Sequence, residues 1–240
     1  MAFNYFGSRL LKAGSAGDDV IVLQTLLNKL PPSIALPISE ETVFGPKTEA
    51  SLKQFQGYFG LTVDGKAGQG TYLYFGEVTG PFLPTGTNAF GARTLKSGMA
   101  GNDVWVLQNR LNGAARKYAN ALGSSADGQF GPKTQAAVKL FQKDFGLGED
   151  GIVGPMTFNK LYVETNFGGR FLQKDRTDRN KGYDVLFLQM RLKDLGYYSG
   201  GLDGKFGSST EAAVKALQTA AKISADGVVG PKTYFNLGKK

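Results

Sequence analysis

Apolar residues return at helical spacing in three separated stretches of the chain: Val20, Leu23 and Leu27; Val104, Leu107 and Leu111; Val185, Leu188 and Leu192. Steps of three and four residues place each trio on one helix face, which predicts helices starting near Asp18, Asn102 and Tyr183. A second amphipathic stretch follows each, with Ala137, Val138, Phe141 and Phe145 as the apolar face of the middle one. It opens on Gly45-Pro46 or Gly131-Pro132, and a proline at the first helical position forfeits no intrahelical hydrogen bond. Gly60 and Gly146 supply the left-handed residue that ends a helix. A third, shorter helix opens on Gly154-Pro155 or Gly230-Pro231 and closes near Leu161 or Leu237. The predicted fold class is all-α: small three-helix-bundle modules with glycine-rich turns.

The turns are copies of one phrase, Asp-Gly, two residues, Gly, and usually Pro-x-Thr. It reads DGQFGPKT at 127–134, DGIVGPMT at 150–157, DGKFGSST at 203–210 and DGVVGPKT at 226–233, with a weaker DGKAGQGT at 64–71. A second landmark, Phe6-Gly7-Ser8-Arg9, aligns with Phe90-Gly91-Ala92-Arg93 and Phe167-Gly168-Gly169-Arg170. Order and spacing agree in three units, which predicts modules over 1–82, 83–163 and 164–240. The first is degenerate, with Glu41-Thr42 where an Asp-Gly is due and Ala67 at an apolar turn position. Units this small have a limited core, so packing between neighbours is expected to matter.

Composition removes whole classes of chemistry from this stretch. The 240 residues include no Cys and no His. Disulfides, thiolate metal sites and a Cys nucleophile are excluded, and the commonest general base and metal ligand are missing. No metal or other cofactor is expected. The net charge of +8 favours acidic partners, but no dense Lys/Arg run concentrates it, so nucleic acid is the weaker reading. No stretch approaches the roughly 20 apolar residues that a bilayer demands. The start, MAFNYFGSRLLKAG, lacks the basic, apolar and cleavage regions of a signal peptide. The chain is therefore expected to stay inside, to leave by lysis or an unusual route, or to have lost a leader.

The order R-x-L-x-x-G-x-x-G-x-D-V-x-x-L-Q, D-G-x-F-G-x-x-T, A-V-x-x-F-Q, D-G-x-V-G resembles the peptidoglycan-binding domain family. The middle unit matches throughout, from RTLKSGMAGNDVWVLQ to DGIVGPMTFNKL. The third carries four extra residues between its Arg170 segment and DVLFLQ. The resemblance implies a three-helix bundle, commonly attached to wall-lytic enzymes, that holds its partner on peptidoglycan at the cell wall or outer surface of a bacterium.

Candidate site residues follow from the repeats. Asp127 and Asp203 of the Asp-Gly turns offer polar contacts to a glycan or peptide, or else simply accept the backbone hydrogen bonds a turn requires. Arg93 can grip a carboxylate or phosphate, or anchor its segment to the preceding module's acidic turn. Tyr118, Tyr197 and Tyr198 precede the second helix in loops, as sugar-stacking or packing residues. The repeated Gln24, Gln108, Gln189, Gln56, Gln142 and Gln218 need amide partners in apolar surroundings, which the turn backbone can supply. The first helices are also apolar off their core face, at Ile21-Val22, Trp105-Val106 and Leu186-Phe187. Such helices are buried on several sides, so these residues are expected to meet a neighbouring module's FGxR segment or another chain.

Two functions are expected from the sequence, both without catalysis. One is a noncatalytic wall-binding protein whose three tandem modules bind peptidoglycan or an associated anionic polymer, with linkage raising avidity by about 10²–10⁴. The alternative is a structural subunit that self-assembles head to tail into a surface filament, layer or spore coat.

Overall fold

The computed structural model describes residues 3–39 and 42–239; Glu41 lies outside the described residues. The described chain is helical. Its helices are α1 (Asp18–Asn28), α2 (Pro46–Phe59), α3 (Gln69–Tyr74), α4 (Asn102–Ala114), α5 (Arg116–Leu122), α6 (Pro132–Asp144), α7 (Pro155–Glu164), α8 (Tyr183–Asp194), α9 (Ser208–Ala220) and α10 (Pro231–Lys239). The only β pairing among the described residues is isolated bridges, two in each copy. Leu11, Leu95 and Leu172 each bridge to the second turn of their copy, and Ala16, Ala100 and Lys181 to the first. A strap ahead of each first helix is thus stitched to both turns, which holds three short helices that would be marginal alone.

The first helices start at Asp18, Asn102 and Tyr183, as their apolar spacing predicts. Proline opens α2, α6, α7 and α10. Tyr118 differs from the expectation of a loop: it sits within α5, a helix that only the middle copy inserts between its first and second helices. Its ring is buried against Phe141, which makes it a packing residue rather than a sugar-stacking one. Tyr198 is also buried, and Tyr197 packs partly buried against the core of the third copy.

The copies close on one another. Helix α7 of the second lies against α1 of the first, and α10 of the third lies against α4 of the second. The third contact is built differently. The end of α3 meets the start of α8, with Phe75 and Tyr183 rings 5.9 Å apart, and Tyr58 at the end of α2 donates to the Asp203 carbonyl at 3.1 Å. A single apolar core runs through the first two copies and takes in Tyr183 and Leu186 of the third; the remainder of the third copy has its own core.

Close approach at this last contact fixes one residue type. Gly169 stands where the other copies have Ser8 and Ala92, and a Cβ there would collide with the Gly76 carbonyl of the first copy. The connector after α3 is docked rather than free, since Glu77 and Thr79 are both buried.

Candidate functional site

Each copy is braced by the same ion pair. Arg9, Arg93 and Arg170 bind Asp19, Asp103 and Asp184 through two nitrogens each, at 2.7–3.1 Å, and also donate to a backbone carbonyl of their own strap. The forked geometry of a guanidinium on a carboxylate suits this anchoring, which is to the copy's own first helix and corrects the expectation of an acidic turn in the preceding copy. The Asp103 bond holds the Arg93 guanidinium above its usual pKa. Sequence reasoning did not single out the aspartates, although the recurrence of Arg in FGxR together with Asp in GxDV was the available signal.

The repeated glutamines complete the turns. Gln108 Nε2 donates to Asp127 Oδ1 at 2.7 Å, to the Gln129 carbonyl at 2.9 Å and to Thr134 Oγ1 at 3.0 Å, while its Oε1 accepts the Asp127 and Gly128 amides. Gln189 makes the same set with Asp203, Lys205, Thr210 and Gly204. Gln56, Gln142 and Gln218 repeat it at the second turns. In the degenerate turn Gln24 donates to the Val43 carbonyl and to Thr48 Oγ1, both at 2.9 Å. The Gln129 amide bonded to Asp127 holds that carboxyl below the usual range, with Gln108 adding to the effect.

The other candidates are dispersed. Tyr118 donates to the Asp144 carboxylate, and burial together with that bond pushes its phenol up. The Tyr198 hydroxyl donates to the Gly201 carbonyl at 2.7 Å. Val22, Val106 and Leu186 are buried, Ile21 is exposed, and Phe187 sits against the Tyr183 ring at 4.5 Å. Trp105 of α4 stacks on Phe171, the residue after Arg170 in the third copy's FGxR segment, at 5.4 Å.

Trp105 and Asp127 alone converge on a cavity of about 540 Å³. Its walls come from all three copies: Leu73 and Phe82 from the first copy and its connector, Trp105 and Asp127 from the second, Phe171 and Arg179 from the third. Arg179 lies 5.7 Å from the centre of the Phe171 ring.

Beside it, the copies are pinned by a buried pair that sequence reasoning missed. Arg110 of α4 binds Glu77 of the connector, donates to the Thr165 carbonyl at 2.7 Å, and lies 5.2 and 5.6 Å from the Phe90 and Tyr162 ring centres. Burial pushes the Glu77 carboxyl up, and Arg110 pulls it partly back.

A closed array of three helical repeats, each stapled by an Arg–Asp pair and a Gln–Asp–Gly box, is the class that the fold defines. The chain belongs to the peptidoglycan binding domain family, whose model matches residues 16–73, 100–161 and 181–234. The chain is 35% identical to a probable N-acetylmuramoyl-L-alanine amidase of Bacillus licheniformis over 61% of this chain and 45% of that protein. It is 40% identical to a zinc D-Ala-D-Ala carboxypeptidase of Streptomyces albus G, covering 39% of this chain and 40% of that protein. The crystal structure of the SleB N-terminal domain is 37% identical, with a TM-score of 0.27, covering 29% of this chain and 90% of that one.

The chain spans less than half the length of these two relatives. Their names, with the N-acetylmuramoyl-L-alanine amidase CwlM of Mycobacterium tuberculosis and the spore cortex-lytic enzyme of Halalkalibacterium halodurans, overturn the expectation of a protein without catalysis. The same finding removes the self-assembling structural subunit, since the relatives are lytic enzymes. The physical reason is one of scope: a stretch without His or Cys limits only the chemistry done within that stretch.

Proposed function

We propose that this chain is the substrate-engaging part of a catalytic peptidoglycan hydrolase, holding the enzyme's reactive centre against the wall at the bacterial surface. The observation that carries this reading is the threefold match to the peptidoglycan binding domain together with relatives named as amidases, a carboxypeptidase and cortex-lytic enzymes. The net charge of +8 adds a salt-sensitive attraction to anionic wall polymers. A hydrolase working on an insoluble lattice benefits from binding that keeps its reactive centre near uncut bonds, because proximity replaces a bimolecular search.

The test joins the chain to an amidase catalytic domain and compares solubilisation of purified sacculi with that by the domain alone. Faster release from intact sacculi, with little change on soluble muropeptides, is the expected result. Absence of both sacculus pelleting and rate gain would sink the reading.

A further inference from the structure

The junction cavity is chemically specific. Phe82 and Phe171 are 44% and 37% exposed, and with half-buried Trp105 they give it an aromatic wall contributed by the connector, the third copy and the second. Its volume of about 540 Å³ lies within the roughly 300–1,000 Å³ of small-molecule sites. Its charges are balanced and largely committed. Arg170 is bound to Asp184, Asp127 is bound by Gln108, and Asp178 lies between Arg176 and Arg179. No surplus of cations is present to hold a free carboxylate, which disfavours a stem peptide. Apolar ring faces beside neutral and paired polar groups instead suit a ligand with a C–H face and a hydroxyl and amide edge.

We propose that the cavity shared by the three copies is a saccharide subsite that takes N-acetylhexosamine residues of the glycan strand. The proposal rests on the peptidoglycan-engaging reading above and assigns the strand's sugar, rather than its peptide, to this junction. Phe82, Phe171 and Trp105 present the apolar wall, and Arg179 and Asp127 line the polar side. Because the walls come from three copies, the subsite exists only in the closed body.

Trp105 is the only tryptophan in the chain, so intrinsic tryptophan emission reports on this cavity alone. The full chain is titrated with a tetramer of β-1,4-linked N-acetylglucosamine and, separately, with a synthetic stem pentapeptide. The expected result is a saturable emission change with the sugar and none with the peptide. Phe82→Ala, on an exposed connector position, and Phe171→Ala should each weaken the sugar response at least tenfold with an unchanged melting temperature for Phe82→Ala. A response to the peptide only, or a sugar affinity unaltered in Phe82→Ala, overturns the proposal. Sacculus pelleting by the same samples separates the two readings. Pelleting without a sugar response removes the subsite and keeps peptidoglycan engagement; loss of both removes both.

Discussion

Removing one side of the Arg110–Glu77 pair should loosen all three copies together. Arg110 and Glu77 are 3% and 5% exposed, Arg110 also bonds Thr165, and its guanidinium faces two aromatic rings. Leaving one partner of such a buried pair uncompensated costs about 3–5 kcal/mol. For a domain of this size each kcal/mol moves the melting temperature by about 2–4 °C, so the drop should be about 6–20 °C. The two single variants should also differ in pH response. Glu77→Gln strands a permanent cation and removes the titrating carboxyl, so this site adds no pH dependence to the variant's own stability between pH 5 and pH 8. Arg110→Met strands a carboxyl whose pKa burial already raises. A group with a raised folded pKa contributes stability that is present below its unfolded pKa, about 4.3, and is lost as pH rises through the folded value. Arg110→Met should therefore be measurably more stable at pH 5 than at pH 8, and the double change Glu77→Leu with Arg110→Met should recover most of the loss. Denaturant melts of the four proteins at both pH values measure these differences. A loss below about 1 kcal/mol for Arg110→Met, independent of pH, would refute the reasoning, because the pair would then be contributing neither burial cost nor attraction.

Three further outcomes follow from the same geometry. Gln108→Leu orphans the buried Gly128 amide and the bonds to Asp127, Gln129 and Thr134, and should cost about 2–3 kcal/mol by denaturant melts. Gly169→Ala should destabilise the chain by more than about 1 kcal/mol through the collision with the Gly76 carbonyl, while Ala92→Gly at the matching position should change it by well under that in thermal melts. Asp64, Asp127 and Asp150 have carboxyls held low, first by a backbone amide for each, so the stability they lend is present above the unfolded pKa of about 3.9 and lost as pH falls through the folded values. The melting temperature should fall below about pH 4, and Asp127→Asn should flatten part of that fall.

The helices were legible because their signals are local. A trio such as Val104, Leu107 and Leu111 reports a helix face without reference to anything distant, and Gly131-Pro132 marks the next helix start in the same way. Tyr118 was misplaced because α5 fills a length-variable connection that the repeat does not constrain. The Arg–Asp staples were visible in the alignment of the copies, yet pairing needs a partner ten or fourteen positions away, which periodicity does not reveal. Gly169 is subtler still. Only the collision with Gly76 explains why the third copy has glycine where serine and alanine serve elsewhere, and that contact joins residues from opposite ends of a closed ring.

Closure also changes what three copies mean. Tandem linkage multiplies affinity when each module is an independent site that a tether brings to the lattice at high effective concentration. Here α7 lies on α1, α10 lies on α4, and the connector at Glu77 is buried beneath Arg110, so the modules are fixed relative to one another. Rigid copies either match the spacing of the wall or forgo simultaneous contact, and no linker slack adjusts them. The junction cavity belongs to none of the copies singly, because its walls are drawn from all of them. Deleting one copy would therefore remove the cavity and expose the core shared by the first two, rather than subtract a third of the binding. The repeat supplies units with the same Arg–Asp staple, and the unequal third contact between α3 and α8 turns them into one body with a composite surface.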